Sequence, residues 1–394
     1  MKSMQIRGLT GLTVLIATPL LLVGCTAGTR SVTAPPPSPT PVLAGAELAL
    51  TPAADGLPIS TEVGLTLTHG TLKSVTLADE NGRTVSGRLR DDASSWVPDE
   101  PLAFHTRYTA TVVATGEDGK DVTQTTSFST MNAPARRTDT GLYMFDGTEY
   151  GVAMPVVVEF MTPVDDDFRA TVQRRLFVTT DPPQKGAWSW MSGQHVEYRA
   201  ENYWRPGTRI TVRAALDGVP MGQNRYGDTD RRAAVSITTN RTELFVDNAT
   251  KQMTVMQNGA QARQIPVSLG KPSTPSSSGT MVIMTKDVHT VFDTTNEPGV
   301  DHYRADISYA MRITWGGEFI HAAPWSVGDQ GVNNVSHGCV NMSWDNAVWL
   351  FGVTHIGDPV TVRGTEVQLV NGNGFTAWNM SWPDFIKGSA LPVR

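Results

Sequence analysis

Three residues of this chain could do nucleophilic chemistry together. Cys339 and His337 lie in Ser336-His337-Gly338-Cys339-Val340-Asn341-Met342, and His321 lies upstream in Glu318-Phe319-Ile320-His321-Ala322-Ala323-Pro324-Trp325. A thiol at its free pKa of roughly 8.5 is only a few per cent thiolate at neutral pH. A neighbouring imidazole raises that fraction by taking the proton and remaining as a cationic partner. His337 is joined to Cys339 through Gly338 alone, and so short a tether restricts where its ring can aim. His321 comes from a separate strand and approaches freely, so it is the expected general base. Gly338 lets the backbone turn sharply and leaves neighbouring N–H groups open to a developing oxyanion.

The same residues also admit purely structural roles: Cys339 as an inert buried thiol, His321 as a satisfied strand histidine. A metal site is not expected, because His321, His337 and Cys339 are only three candidate ligands and no second cysteine joins them. A serine hydrolase is disfavoured, since no Gly-x-Ser-x-Gly occurs. His289, His302 and His355 have no evident partner and read as surface residues.

The elements that must position these groups are mostly β. In residues 241–364, Glu243-Leu244-Phe245-Val246 and Gln252-Met253-Thr254-Val255-Met256 alternate around the turn Asp247-Asn248-Ala249-Thr250. A glycine- and proline-rich loop spans residues 270–279 and lacks the spacing of a phosphate loop. Strands are expected at Thr280-Met281-Val282-Ile283-Met284, Met311-Arg312-Ile313-Thr314-Trp315, Glu318-Phe319-Ile320-His321 and Pro359-Val360-Thr361-Val362. Ser343 or Asp345 should cap a short helix over residues 346–351 that packs Val348, Trp349 and Leu350 inward.

Upstream, residues 47–131 and 132–240 each show short alternating runs broken by turn signals such as Asn81-Gly82 and Asp118-Gly119. A tryptophan, a Thr/Val-rich strand and a Ser-x-Ser/Thr-Thr ending recur in both, which suggests tandem immunoglobulin-like sandwiches. A stalk is the simplest role for them. Residues 365–394 hold Trp378, Trp382 and Phe385. Large aromatics cost roughly 1.5–3 kcal/mol each to leave in water, so this extension should pack, and the catalytic domain is the expected surface.

Residues 1–25 form a targeting segment. Lys2 and Arg7 precede an apolar run over residues 9–23 that is too short for a comfortable membrane span. Its end, Leu22-Val23-Gly24-Cys25, resembles the bacterial lipobox, which implies a diacylated Cys25 and a protein held on the outer face of the cytoplasmic membrane. An ordinary signal peptide with an incidental cysteine is the plainer alternative. Residues 26–46 are a proline-rich spacer. The chain's 394 residues allow two to four domains, and its net charge of −6, without a Lys/Arg run, argues against nucleic acid.

His321…Ser336-His337-Gly338-Cys339-Val340-Asn341 resembles the L,D-transpeptidase catalytic (YkuD-type) domain, whose motif places a histidine fourteen to seventeen residues before [S/T]HGC and an asparagine after. Here fourteen residues separate His321 from Ser336. The order of anchor, two immunoglobulin-like domains, catalytic domain and tryptophan-bearing extension is similar to the mycobacterial-type enzymes. The resemblance implies a mostly β fold and peptidoglycan stem peptides as substrate. It implies a Cys339 thioester formed with loss of D-Ala, a 3→3 cross-link to a diamino-acid amine, and no cofactor. Acylation by carbapenems is implied as well. It assigns Cys339 as nucleophile, His321 as base, and His337, Gly338, Ser336 and Asn341 to the motif around the oxyanion. Tyr303 would be a lid residue and Trp325 a pocket wall. Ala322 stands where some relatives carry serine, so it would orient His321 through its backbone carbonyl. Residues 292–299 lack a second lid tyrosine. The same acyl-enzyme would serve an L,D-carboxypeptidase or a protein-attaching transpeptidase, and a non-catalytic cell-wall-binding lipoprotein is the alternative from another class.

Overall fold

The Asp118-Gly119 turn joins the strand Arg107–Gly116 to Asp121–Ser129, paired from Arg107↔Ser129 to Thr115↔Asp121. Gly119 sits at φ +77°, a conformation that glycine reaches without steric penalty. Every second residue of the first strand is buried, so Tyr108, Ala110 and Val112 line a core with Val63, Leu77, Trp96 and Phe128. Two four-stranded sheets close over that core in this computed structural model, which describes residues 43–295 and 304–393. One sheet holds Glu47–Thr51, Val63–Thr68, Ser95–Pro98 and Gly87–Leu89. The other holds Thr84–Val85, Gly70–Asp79, Arg107–Gly116 and Asp121–Ser129.

A second pair of four-stranded sheets follows. Thr140–Leu142, Val156–Phe160, His195–Ala200 and Gly186–Ser192 form one; Glu149–Tyr150, Asp230–Ile237, Arg209–Ala215 and Leu176–Asp181 form the other. The described residues are strand-dominated, as their alternating runs predict. The two sandwiches are tied by Glu62, which pairs with Arg90 of its own sandwich and Arg175 of the next. Arg213 also donates to the Pro98 carbonyl at 2.7 Å.

The third unit has a six-stranded sheet ordered Ala260–Pro266, Gln252–Gln257, Thr242–Asp247, Pro359–Arg363, Ser277–Val282 and Val367–Gln368. A four-stranded sheet beside it is ordered Thr285–Asp293, Arg304–Arg312, Phe319–Ala322 and Val340–Met342. Leu244, Val255, Ile265, Met281, Ile320 and Val340 are fully buried between them. The helix runs Trp344–Val353, longer than expected, with Ser343 at its N-cap position but no side-chain cap bond. Ala347 and Leu350, three apart, set its inward face, so Val348 points out and is 39% exposed, against expectation. The strand expected through Trp315 ends at Arg312.

The second sandwich presses on the third unit through backbone. Gly151 donates to the Ile356 carbonyl at 2.7 Å and Ala153 to that of Gly357 at 2.9 Å. A Cβ on Gly151 would meet Asp358 at 2.3 Å, so only glycine permits this approach. One apolar core runs across the junction, joining Tyr150, Trp188 and Trp204 to Val282, Met284 and Phe375.

The C-terminal extension packs on the catalytic sheet, where Val367–Gln368 pairs with Ser277–Val282, and also on the second sandwich. The strand His195–Ala200 presents Glu197, whose Oε2 accepts the Ala377 N–H at 2.9 Å, and Arg199, which donates to the Met380 carbonyl at 2.9 Å. The Arg199 guanidinium lies 4.4 Å from the Trp378 ring centre and 4.5 Å from that of Phe385. Toward the catalytic sheet, Asn379 Oδ1 accepts the Thr280 N–H at 3.1 Å. The extension therefore bridges the two units. Among the described residues no helix is long and apolar enough to cross a membrane. Cys25 and the segment around it, and Tyr303 and His302, lie outside the described residues.

Candidate active site

Two short parallel strands build the site. Phe319–Ala322 and Val340–Met342 pair with His321 beside Asn341, and Cys339 stands immediately before the second strand. The turn that delivers it is locked by Ser336: its Oγ donates to the Cys339 carbonyl at 2.6 Å and accepts the Gly338 N–H at 3.1 Å. Gly338 sits at φ +118°, where a side chain would be strained. Ser276 Oγ donates to the Gly338 carbonyl at 2.6 Å and accepts from the Gly270 N–H, so the glycine-rich loop holds the turn from below.

Cys339 and His321, 6% and 3% exposed, both face a pocket of about 360 Å³. Phe292, Arg304, Trp325, His337 and Asn341 also line it. His321 Nδ1 lies 2.8 Å from the Ala322 carbonyl oxygen. A carbonyl only accepts, so the neutral ring carries its proton on Nδ1 and leaves Nε2 as acceptor. The ring stands edge-on to Phe292 at 5.7 Å and 6.0 Å from Trp325.

Burial pushes Cys339 up to about 12; the Phe319 N–H aimed at the sulfur opposes this and the Glu318 charge adds to it. The Sγ–H points to the Gly317 carbonyl at 3.8 Å. Burial likewise pulls His321 below its ordinary value. Burial thus works against the charged form of both groups, which line the same pocket.

A family model described as the L,D-transpeptidase catalytic domain matches residues 241–362, and one described as a bacterial Ig domain matches residues 54–220. L,D-transpeptidase 2 of Mycobacterium tuberculosis is 34% identical over 348 residues, 86% of this chain and 84% of its own. The chain belongs to the L,D-transpeptidase family. L,D-transpeptidase 5 of the same organism is 33% identical and aligns with 98% of this chain and 85% of its own. A solved LD transpeptidase in complex with imipenem is 34% identical and covers 58% of this chain and all of its own, with a TM-score of 0.48.

In this L,D-transpeptidase the expected site residues divide. Cys339, His321, Asn341, Ser336, His337 and Trp325 all border one pocket. His337 is exposed, and its Nε2 lies 3.1 Å from Lys271 Nζ at the edge of the same pocket. The Gly338 N–H, expected to face an oxyanion, is engaged by Ser336 Oγ. His355 is no free surface residue: its Nε2 lies 3.4 Å from Glu149 of the second sandwich. Asn341 donates to Ser326 Oγ at 3.3 Å, while its buried Oδ1 has no partner among the described residues.

Sequence reasoning missed Glu318, Ser276 and Ser277. Ser277 donates to Glu318 Oε1 through its N–H at 3.1 Å and its hydroxyl at 2.7 Å. The signal for Glu318 was present: the alternation that turns Ile320 inward, carried one step upstream, turns Glu318 the same way.

Proposed function

We propose that this L,D-transpeptidase forms 3→3 cross-links in peptidoglycan through a thioester on Cys339. The observation that carries the reading is the common pocket shared by Cys339 and by a His321 whose Nδ1 is held by a carbonyl. In the first half-reaction Sγ attacks the carbonyl of the diamino acid that precedes a terminal D-Ala, and the thiol proton passes to His321 Nε2. The Cys339 amide holds the developing oxyanion. The C–N bond then breaks, His321 returns the proton to the departing D-Ala amine, and the thioester remains. In the second half-reaction the side-chain amine of a neighbouring stem attacks and gives its surplus proton to His321, the C–S bond breaks, and His321 passes that proton to the departing sulfur, restoring the thiol and the neutral ring. No ATP is consumed, because the thioester retains the energy of the cleaved bond.

Burial disfavours both the thiolate and the imidazolium, so in this reading proton transfer accompanies the attack. Trp325 and Tyr303 would border the donor stem. Cys25 would carry the lipid that holds the enzyme outside the cytoplasmic membrane, with residues 26–46 as spacer.

The test is intact-mass spectrometry of the full chain incubated with a carbapenem, beside Cys339→Ala. The expected result is a drug-sized mass increase in the parent alone. Cross-linking of tetrapeptide stems that survives in Cys339→Ala would sink the reading.

A further inference from the structure

His321 stands opposite an irregularity in the neighbouring strand. Ser308 pairs with Ala322 and Met311 with Ile320, so Tyr309 and Ala310 together oppose His321 alone. This is a β-bulge, which bends its strand, increases the local twist and re-aims the side chains beside it. Its first residue is in an unusual conformation for its type. Tyr309 sits at φ +53°, in the left-handed region that glycine ordinarily fills in such a bulge. A bulky residue there is disfavoured by its Cβ, and the strain persists only where the surroundings hold it.

The surroundings do hold it. The Tyr309 ring packs edge-on against Trp344 at 5.3 Å and against Phe351 at 5.5 Å, both on the helix Trp344–Val353. That helix follows the strand Val340–Met342, which starts at the residue after Cys339. The tyrosine therefore ties the strand opposite the base to the element that carries the nucleophile. The bulge also decides which side chains reach the pocket. Arg304, Ala305 and Ile307 line it from the segment before the bulge. Without the extra residue, pairing with the strand of His321 would slip by one and turn that segment's side chains to the other face. Ala322, whose carbonyl meets the His321 ring, is the partner of Ser308, the residue immediately before the bulge.

We propose that Tyr309 is a positioning residue that holds the bulge opposite His321 and so sets the aim of the imidazole in the pocket it shares with Cys339. Tyr309 does not line that pocket; it acts through the backbone of two paired strands. The proposal rests on His321 being the base for Cys339.

The test is the second-order rate of carbapenem acylation of the full chain, measured for Tyr309 variants in the parent and in a His321→Ala background. A misplacement of about 1 Å at a reacting group can cost about 100-fold. Tyr309→Val removes the ring and, being β-branched, resists a positive φ, so it should acylate at least about tenfold more slowly. Tyr309→Leu keeps apolar bulk without the ring, gives a second variant should the first fold poorly, and should lose about three- to tenfold. Tyr309→Phe keeps the ring and should stay within about twofold of the parent. With His321→Ala there is no base left to aim, so neither Tyr309→Val nor Tyr309→Leu should slow the residual acylation by more than about twofold. Thermal melting confirms that each protein is folded at the assay temperature. Rates for Tyr309→Val and Tyr309→Leu within about twofold of the parent, or an equal loss with and without His321, overturn the proposal. Failure of the functional reading looks different: His321→Ala would then acylate as fast as the parent, whatever stands at position 309.

Discussion

His321 Nδ1 lies 2.8 Å from the carbonyl oxygen of Ala322, the next residue of its own strand. The contact is made by backbone, so the side chain at 322 contributes nothing to it. Ala322→Ser should therefore acylate with a carbapenem within about threefold of the parent. His321→Ala, which removes the proton acceptor, should be slower by at least about 100-fold. Stopped-flow acylation rates check both. A loss beyond about tenfold in Ala322→Ser would show that the carbonyl does not suffice to orient the ring.

The depressed basicity of His321 sets the acid limb of the pH profile. Burial lowers its pKa below the ordinary 6.5, so the ring stays neutral, and able to accept a proton, to lower pH than a free histidine. Acylation should rise with pH through a midpoint below 6.5 and be flat near neutrality. With the thiol pushed up to about 12, no second rise from a free thiolate should appear below about pH 9. Second-order acylation rates between about pH 4 and 9 test this, and a limb centred above 7 would contradict the burial argument.

Much of this architecture was legible because its signals are local. Hairpin turns such as Asp118-Gly119 and Asp247-Asn248-Ala249-Thr250 announce their strands, and the spacing from His321 to Cys339 singles out the motif. What stayed hidden depends on tertiary contact. That His337 faces Lys271 follows from where the glycine-rich loop lies, and no local pattern carries it. Val348 faces outward because the sheet meets the helix at Ala347 and Leu350, a choice of face that ten largely apolar residues leave ambiguous. The extension's attachment to Glu197 and Arg199 required knowing that one strand of the second sandwich turns two charges toward it.

That attachment makes the extension part of the folding unit. Trp378 donates its indole N–H to the Ala153 carbonyl at 2.6 Å, packs edge-on to Tyr203 at 4.5 Å and covers Arg199. Trp378→Ala should destabilise by about 2–4 kcal/mol, from lost packing and from uncovering Arg199. Denaturant unfolding of the full chain gives the number. A change under about 0.5 kcal/mol would show that the extension is peripheral to the junction.

Asp358 makes the same junction sensitive to alkali. Its carboxyl is fully buried, with Oδ2 accepting the His355 N–H at 2.7 Å and Oδ1 without a partner among the described residues. Burial raises it from 3.8 to about 8, against the pull of the His355 bond and Lys286; Glu243 adds to the rise. A folded pKa above the unfolded value favours the protonated, folded form. That stability is complete below about pH 4 and is lost as pH rises through about 8. Burial depresses His355, whose contribution runs the opposite way and falls away in acid. The Asp358 effect is therefore cleanest above about pH 7. The parent should lose melting temperature from about pH 6.5 to 8 and level off above, where Asp358 is ionised in both states. Asp358→Asn, which can still accept from the His355 N–H and carries no charge, should lose much less over that range. Parallel slopes in the two proteins would mean that Asp358 is already ionised in the folded state.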